Sequence, residues 1–294
     1  MDGKAYVNSE TWKELLSLEN LKETDARDTR YDSVIHLVTA ADGAEDFYTL
    51  ENNTARHESV EQAIELDRRT QNAWIGHSRL AVIENDDGKG GKIGFNRKIG
   101  NVIDSVKALL GLQPLAPERE KRYVVEVTEN GVPEEYDFTT QDIYKVYLKG
   151  KRNVSKKYVQ AKRYDEVTMY SQVVGKTQND RMFERRSILD FISYKTWATS
   201  STDVVGMLNS KRTSFMLDKH YVQIEEFDDG LSILRIQPPH GASVSSGLSR
   251  KLKAFINFTR EIPRDEKFTM QDAGAKNFEK AGRIVPSKYF TFEK

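Results

Sequence analysis

The chain has 294 residues, of which 38% are hydrophobic and 31% charged, a globular composition at the polar end. Its 45 basic and 45 acidic side chains cancel, so nothing global argues for nucleic acid or a membrane surface as partner. Cysteine is absent, which excludes disulfides, thiolate zinc sites and cysteine nucleophiles. No apolar run approaches the roughly 18–20 residues of a membrane helix, and the start lacks the pattern of a signal peptide. The expectation is a cytoplasmic protein with no nucleic-acid partner and no membrane span, long enough for two domains.

Along the chain, residues 9–20 read as a helix that starts at Ser9 and carries Trp12, Leu15, Leu16 and Leu18. Ser33 to Thr39 is a short apolar run suited to a buried parallel strand. Residues 58–77 read as a long charged helix, Arg79 to Glu84 as a second buried strand, and residues 95–112 as a closing helix. Strand, helix, strand, helix predicts an α/β unit with parallel strands. Residues 113–122, with two prolines and a charge run, read as a linker. Beyond it the pattern changes to short strands at 123–128, 142–149, 157–164, 166–175 and 182–189, then a helix within 190–209 and loop over 238–249.

The most informative stretch runs from Lys211 to Gln237. Asp229-Gly230 marks a two-residue hairpin turn, where positive φ is needed and glycine supplies it. In the flanking strands Arg212 and Glu225 fall at inward positions. Charged inward positions on successive short strands suggest the wall of a polar-lined antiparallel barrel, and buried charges need partners or a ligand. The alternative is the exposed face of a simple sheet.

Val34-Ile35-His36-Leu37-Val38-Thr39-Ala40-Ala41-Asp42-Gly43-Ala44-Glu45-Asp46-Phe47-Tyr48, Thr54 to Asp67 and Ala73-Trp74-Ile75-Gly76-His77 resemble the AAA-type nucleotide-binding domain of the TRPL translocation defect protein 14 family, over nearly all of residues 1–112. The resemblance implies a nucleotide-kinase-like fold with Arg56, Arg68 and Arg69 as lid residues that meet phosphates. Read from the residues themselves, these arginines suit a surface helix with salt bridges such as Glu65 to Arg69. Asn85 is placed to touch a nucleobase or to serve a turn. The family's phosphate loop, which ends in Gly-Lys-Thr or Gly-Lys-Ser, has no match. Gly88-Lys89-Gly90-Gly91-Lys92 lacks its spacing and its hydroxyl and reads as a solvated loop. Met1 to Ala5 match the segment just after the family's metal-binding Asp strand, so the chain is expected to begin midway through that domain, leaving an open sheet edge. His36, in its apolar strand, is expected to be a satisfied core side chain.

Residues 121–294 resemble the CYTH-type triphosphate tunnel domain at the C-terminus of the same family. The resemblance rests on Gln160-Ala161-Lys162, Thr168 to Lys176, Glu184-Arg185-Arg186, Arg212 to Phe215, Gln223-Ile224-Glu225 and the closing stretch Asn257 to Met270. It implies that Lys162, Lys176, Arg186 and Arg212 hold ligand phosphates, and that Glu184 and Glu225 hold a divalent cation, Mg²⁺ or Mn²⁺. Strand parity puts Glu184 with Arg186, and Gln160 with Lys162, on common faces. Two departures stand out. The first strand, Tyr123 to Glu129, lacks the Glu-x-Glu-x-Lys spacing of the catalytic tunnel enzymes. Where they carry Glu-x-Glu after the hairpin, this chain has Arg235-Ile236-Gln237, and an arginine there weakens metal binding.

The expected fold is therefore a partial P-loop-kinase-like parallel α/β domain (1–112), a linker (113–122) and an antiparallel CYTH-like tunnel barrel (123–294). The expected function is binding of a phosphorylated ligand, such as a nucleoside triphosphate, polyphosphate or acidic phospholipid headgroup, with little catalysis. The family name implies a trafficking role, with a trafficked protein as partner. Two alternatives are a metal-dependent tunnel triphosphatase and an interaction remnant that binds only protein.

Overall fold

The computed structural model describes residues 1–49, 57–87, 91–110, 112, 120–150, 154, 156–164, 167–178, 181–200, 202–239, 244 and 247–262. It is a mixed α/β architecture, with a small parallel sheet, a large antiparallel sheet of nine strands and a few helices.

In the N-terminal unit, α1 (Ser9–Leu18) starts where the Asn8 side chain accepts the Thr11 amide. The strands β1 (Val34–Leu37) and β2 (Leu80–Ile83) pair in parallel, with Val34 opposite Leu80 and Leu37 opposite Ile83. Between them lies α2 (Val60–Ala73), opened by a reciprocal capping box of Ser59 and Gln62. The α3 helix (Phe95–Leu109) follows β2. The expected strand, helix, strand, helix order is present, but α2 ends before His77, because Gly76 takes a φ of 94° and turns the chain away. His36 is buried and faces Asp67 at 3.1 Å, as a satisfied core side chain does. Asn85 ties the turn after β1, since its amide donates to the carbonyls of Thr39 and Asp42 and its oxygen accepts from Lys98.

The large sheet contains β3 (Lys121–Val127), β4 (Thr139–Leu148), β5 (Lys156–Tyr164), β6 (Val167–Gln178), β7 (Arg181–Leu189), β8 (Val204–Leu217), β9 (His220–Phe227), β10 (Ser232–Gln237) and β11 (Ile256–Glu261). Their order is β11-β3-β10-β9-β8-β4-β5-β6-β7, antiparallel throughout. Asp228 to Leu231 join β9 to β10, a longer turn than the two residues expected, in which only Gly230 takes positive φ, at 87°. Three boundaries differ from expectation. Lys121 and Arg122, assigned to the linker, already belong to β3. The helix within 190–209 is α4 (Phe191–Ala198) alone, and Val204 onward is strand, where alternate residues are buried against neighbours on both sides. The loop over 238–249 gives way to a short helix, α5 (Leu248–Leu252), whose two leucines bury an apolar face. Linker residues 113–119 and the tail from 263 lie outside the described residues.

The two faces of this sheet differ. One is apolar and covered. Val125, Phe215, Val222, Ile224 and Leu234 pack under Leu248, Leu252 and Phe255, while Tyr144, Val146, Val159 and Ala161 pack under Tyr194 and Trp197 around α4. The other face carries an apolar row from Val173 through Tyr158, Tyr147, Leu208 and Phe227 to Ile233. Among the described residues no helix contributes to that row, which curvature of the sheet and Ile262, just beyond β11, help to bury. The curvature shows again in Arg235 on β10, which lies within electrostatic reach of Glu184 on β7. Six strand spacings would separate them by about 29 Å in a flat sheet.

Candidate anion site on the concave face

In an antiparallel ladder, residues directly opposite each other share a face. The register therefore fixes which charged side chains meet. Arg212 stands opposite Glu225 and Gln141. Lys162 stands opposite Ile143, which stands opposite Ser210, two residues from Arg212. Lys145 stands opposite Gln160. Arg186 and Glu184 stand opposite Val173 and Gly175, on the same face as Ser171 and Gln160. Arg235 stands opposite Gln223, two residues from Glu225. Lys162, Arg186, Arg212, Glu184 and Glu225 thus share the concave face, as parity implied. Lys176 does not. It stands opposite Phe183 and is exposed on the other face, because Gly175 holds the inward position against Glu184.

The charges on this face are unequally satisfied. The Glu225 carboxylate is buried and takes three donors: Lys145 at 2.9 Å and Ser210 at 2.8 Å on one oxygen, and Arg212 at 2.7 Å on the other. Burial alone would raise its pKa, but the charges of Arg212 and Lys145 outweigh it and hold Glu225 well below the ordinary carboxylate range. Burial pushes the Lys145 ammonium down to about 8 against the opposing pull of Glu225. With three donors on its two oxygens, Glu225 serves the cations around it. Among the described residues, no three His, Asp or Glu side chains gather as a metal-ligand set.

Lys162 is in a different position. Only 9% of it is exposed, and its ammonium has no hydrogen-bond or ion-pair partner among the described residues. Burial and the charges of Arg186 and Arg212 hold it well below the ordinary lysine range. The Nε atoms of Arg186 and Arg212 are also buried without a hydrogen-bond partner. A buried, unpartnered donor is costly, and a charged one more so. Lys162, Arg186 and Arg212 converge on one concave face with donors left over after Glu225 has taken one bond from Arg212, and such a set suits a polyanion.

Sequence reasoning missed two contributors. Lys145 lies inside Ile143-Tyr144-Lys145-Val146-Tyr147-Leu148, which reads as an apolar strand with one stray charge. Arg79 belongs to the N-terminal unit, yet its guanidinium reaches the Glu184 carbonyl at 3.5 Å and feels the charge of Arg186. The lid arginines lie elsewhere. Arg68 pairs with Glu65 at 3.3 Å on the exposed side of α2, and Arg69 donates to the Val7 carbonyl at 3.0 Å. The surface-helix reading holds for both, although Glu65 pairs with Arg68 and not with Arg69. Arg56 lies outside the described residues. The groove along α2 sets Glu58, Glu61 and Glu65 against Arg69, an acidic surface that disfavours phosphate.

No family model and no curated protein matches the chain. Among solved structures it is similar to the hypothetical protein NE1496, at 13% identity over 53% of this chain and 96% of that one, with a TM-score of 0.34. It is also similar to the PH1819 protein of Pyrococcus horikoshii OT3, at 12% identity over 46% and 85%, with a TM-score of 0.32. A conserved hypothetical protein of Pyrococcus furiosus matches at 11% identity over 56% and 91%, with a TM-score of 0.27. No helix among the described residues is long and apolar enough to cross a membrane.

Proposed function

We propose that the chain binds a ligand carrying an oligophosphate group on the concave face of its large sheet, and that it holds the ligand with little or no hydrolysis. The observation that carries this reading is the convergence on one face of the buried Lys162 with Arg186 and Arg212, both of whose Nε atoms are buried without a hydrogen-bond partner. On this reading the curved sheet is a triphosphate-tunnel barrel of the CYTH type, and the N-terminal unit is part of a nucleotide-kinase-like fold. The resemblance to the translocation-defect family supports both assignments. It would make the ligand a nucleoside triphosphate, polyphosphate or phosphoinositide-like headgroup in a cytoplasmic trafficking role. A tunnel triphosphatase would need Glu184 and Glu225 to hold Mg²⁺ or Mn²⁺ and activate water. The engagement of Glu225 by Lys145, Ser210 and Arg212 favours the binding role.

The test measures tripolyphosphate affinity with and without Mg²⁺ while phosphate release is followed in the same samples. Binding without metal and without release supports a carrier. Metal-dependent release that is lost in Glu225→Gln would establish the hydrolase instead.

A further inference from the structure

The N-terminal unit sits against the concave face, where five of that face's side chains meet it. The Tyr221 hydroxyl accepts the Gly76 amide at 3.3 Å, and the Gln141 amide donates to the Gly76 carbonyl at 3.4 Å. Thr139 reaches the Ile75 carbonyl. The Arg27 guanidinium lies 4.8 Å over the Tyr164 ring, and Met216 packs against the cluster of Val38, Trp74, Leu80 and Val82. The Trp74-x-Gly76-His77 segment, prominent in the sequence, is the hinge of this contact. His77 shows how it places Arg79. Its Nε2 lies 3.1 Å from the Tyr31 carbonyl and its Nδ1 lies 3.1 Å from the Arg79 amide. An imidazole with its proton on Nε2 satisfies both contacts, donating to the carbonyl and accepting the amide. The ring thereby fixes the backbone from which the Arg79 side chain extends to β7.

We infer that Arg79 is a fourth phosphate-binding residue, supplied by the N-terminal unit, so that an oligophosphate ligand bridges the two units and holds them together. The inference rests on the anion-site reading above. Arg79 and Arg186 are like charges within electrostatic reach of each other, Glu184 and Asp32 offset that repulsion in part, and the Arg79 hydrogen bond to the Glu184 carbonyl is long. An anion between them adds an attraction shared by both guanidinium groups, each suited to hold one phosphate through two donors. Without Arg79 the ligand would touch the sheet alone. With it, binding has a differential free energy for the docked over the undocked arrangement, which is the requirement for linkage between the units.

The experiment uses the full chain and tripolyphosphate as the probe. Calorimetry compares the native chain with Arg79→Gln, Arg79→Lys and Lys162→Gln, and hydrogen exchange at Val34–Leu37 and Leu80–Ile83 is followed with and without ligand. Arg79→Gln is expected to weaken binding by about tenfold or more, the worth of one charge-assisted bond. Arg79→Lys, which keeps the charge and the fold but loses the fork, is expected to fall between. Tripolyphosphate is expected to slow exchange in both segments of the native chain and not in Arg79→Gln. If both Arg79 variants bind as tightly as the native chain while Lys162→Gln does not bind, the sheet holds the ligand unaided and the bridging role is wrong. If the native chain does not bind, the anion-site reading falls and this inference with it.

Discussion

Arg212 and Glu225 stand directly opposite each other on β8 and β9, and their side chains close to 2.7 Å, with Lys145 reaching the other carboxylate oxygen from β4. One buried acid thus stabilises two bases on neighbouring strands, of which Lys145 is buried and Arg212 partly so. Glu225→Gln leaves both cations without a counter-charge, and is expected to cost about 3–5 kcal/mol of stability, as breaking a buried pair does. Phosphate or tripolyphosphate should recover part of that loss, and should stabilise the variant more than the native chain, because the anion replaces the missing charge. Denaturant melts with and without ligand check this. A metal-ligand role for Glu225 predicts the reverse, with a smaller ligand effect in the variant when Mg²⁺ is present.

Lys162 is expected to trade stability for binding. Its folded pKa lies below its unfolded value, owing to burial and then to Arg186 and Arg212. Between the two values the unfolded chain binds more protons, so stability of the ligand-free protein rises with pH through that window toward about 10.4. Below the folded value the penalty is at its full size. Lys162→Met removes the charge and keeps the apolar stem. It should raise ligand-free stability at neutral pH by about 1–3 kcal/mol and flatten the pH slope, as measured by guanidinium melts across a pH series.

The depressed lysines also predict proton uptake on binding. A polyanion favours the charged form, so it raises the pKa of Lys162 and of Lys145, which burial holds at about 8. Titrations at pH 8.5 in two buffers of different ionisation enthalpy should reveal net uptake of protons. The uptake should diminish in Lys162→Gln, and affinity should fall as pH rises through these values.

Much of this site was legible in the sequence, and the reason is geometric. Asp229-Gly230 signals the reversal between β9 and β10, although the turn spans Asp228 to Leu231 and not two residues, and period-two alternation assigns Glu225 a side. Lys176 went wrong because β6 reads Gln172-Val173-Val174-Gly175-Lys176, with no clear alternation, so only pairing with β7 reveals which parity faces inward. The Asp218-Lys219 turn between β8 and β9 was missed because both residues take positive φ, 46° and 64°, without a glycine to signal it. Arg79 was hidden for another reason. Its partner on β7 lies 105 residues further along the chain, and no local pattern records a contact between units.

Gly76 is expected to tolerate no side chain. Its φ is 94°, and a Cβ there would sit 3.0 Å from the Thr139 methyl and 3.3 Å from the Arg27 guanidinium. Gly76→Ala combines backbone strain with a clash at the contact between the units, and should cost about 1–3 kcal/mol. Thermal unfolding checks the cost. Hydrogen exchange at Leu80–Ile83 should rise in the same variant if the damage is local to the docked surface.

The proposed oligophosphate binds through the inward cations of the concave face. Calorimetric titration with tripolyphosphate near physiological salt, where the Debye length is about 8 Å, tests it most directly when the native chain is compared with Lys162→Gln and with Lys176→Gln. The native chain should bind, Lys162→Gln should lose binding, and Lys176→Gln, whose side chain lies on the opposite face, should bind unchanged. Equal weakening by both substitutions, or no binding by the native chain, would contradict it.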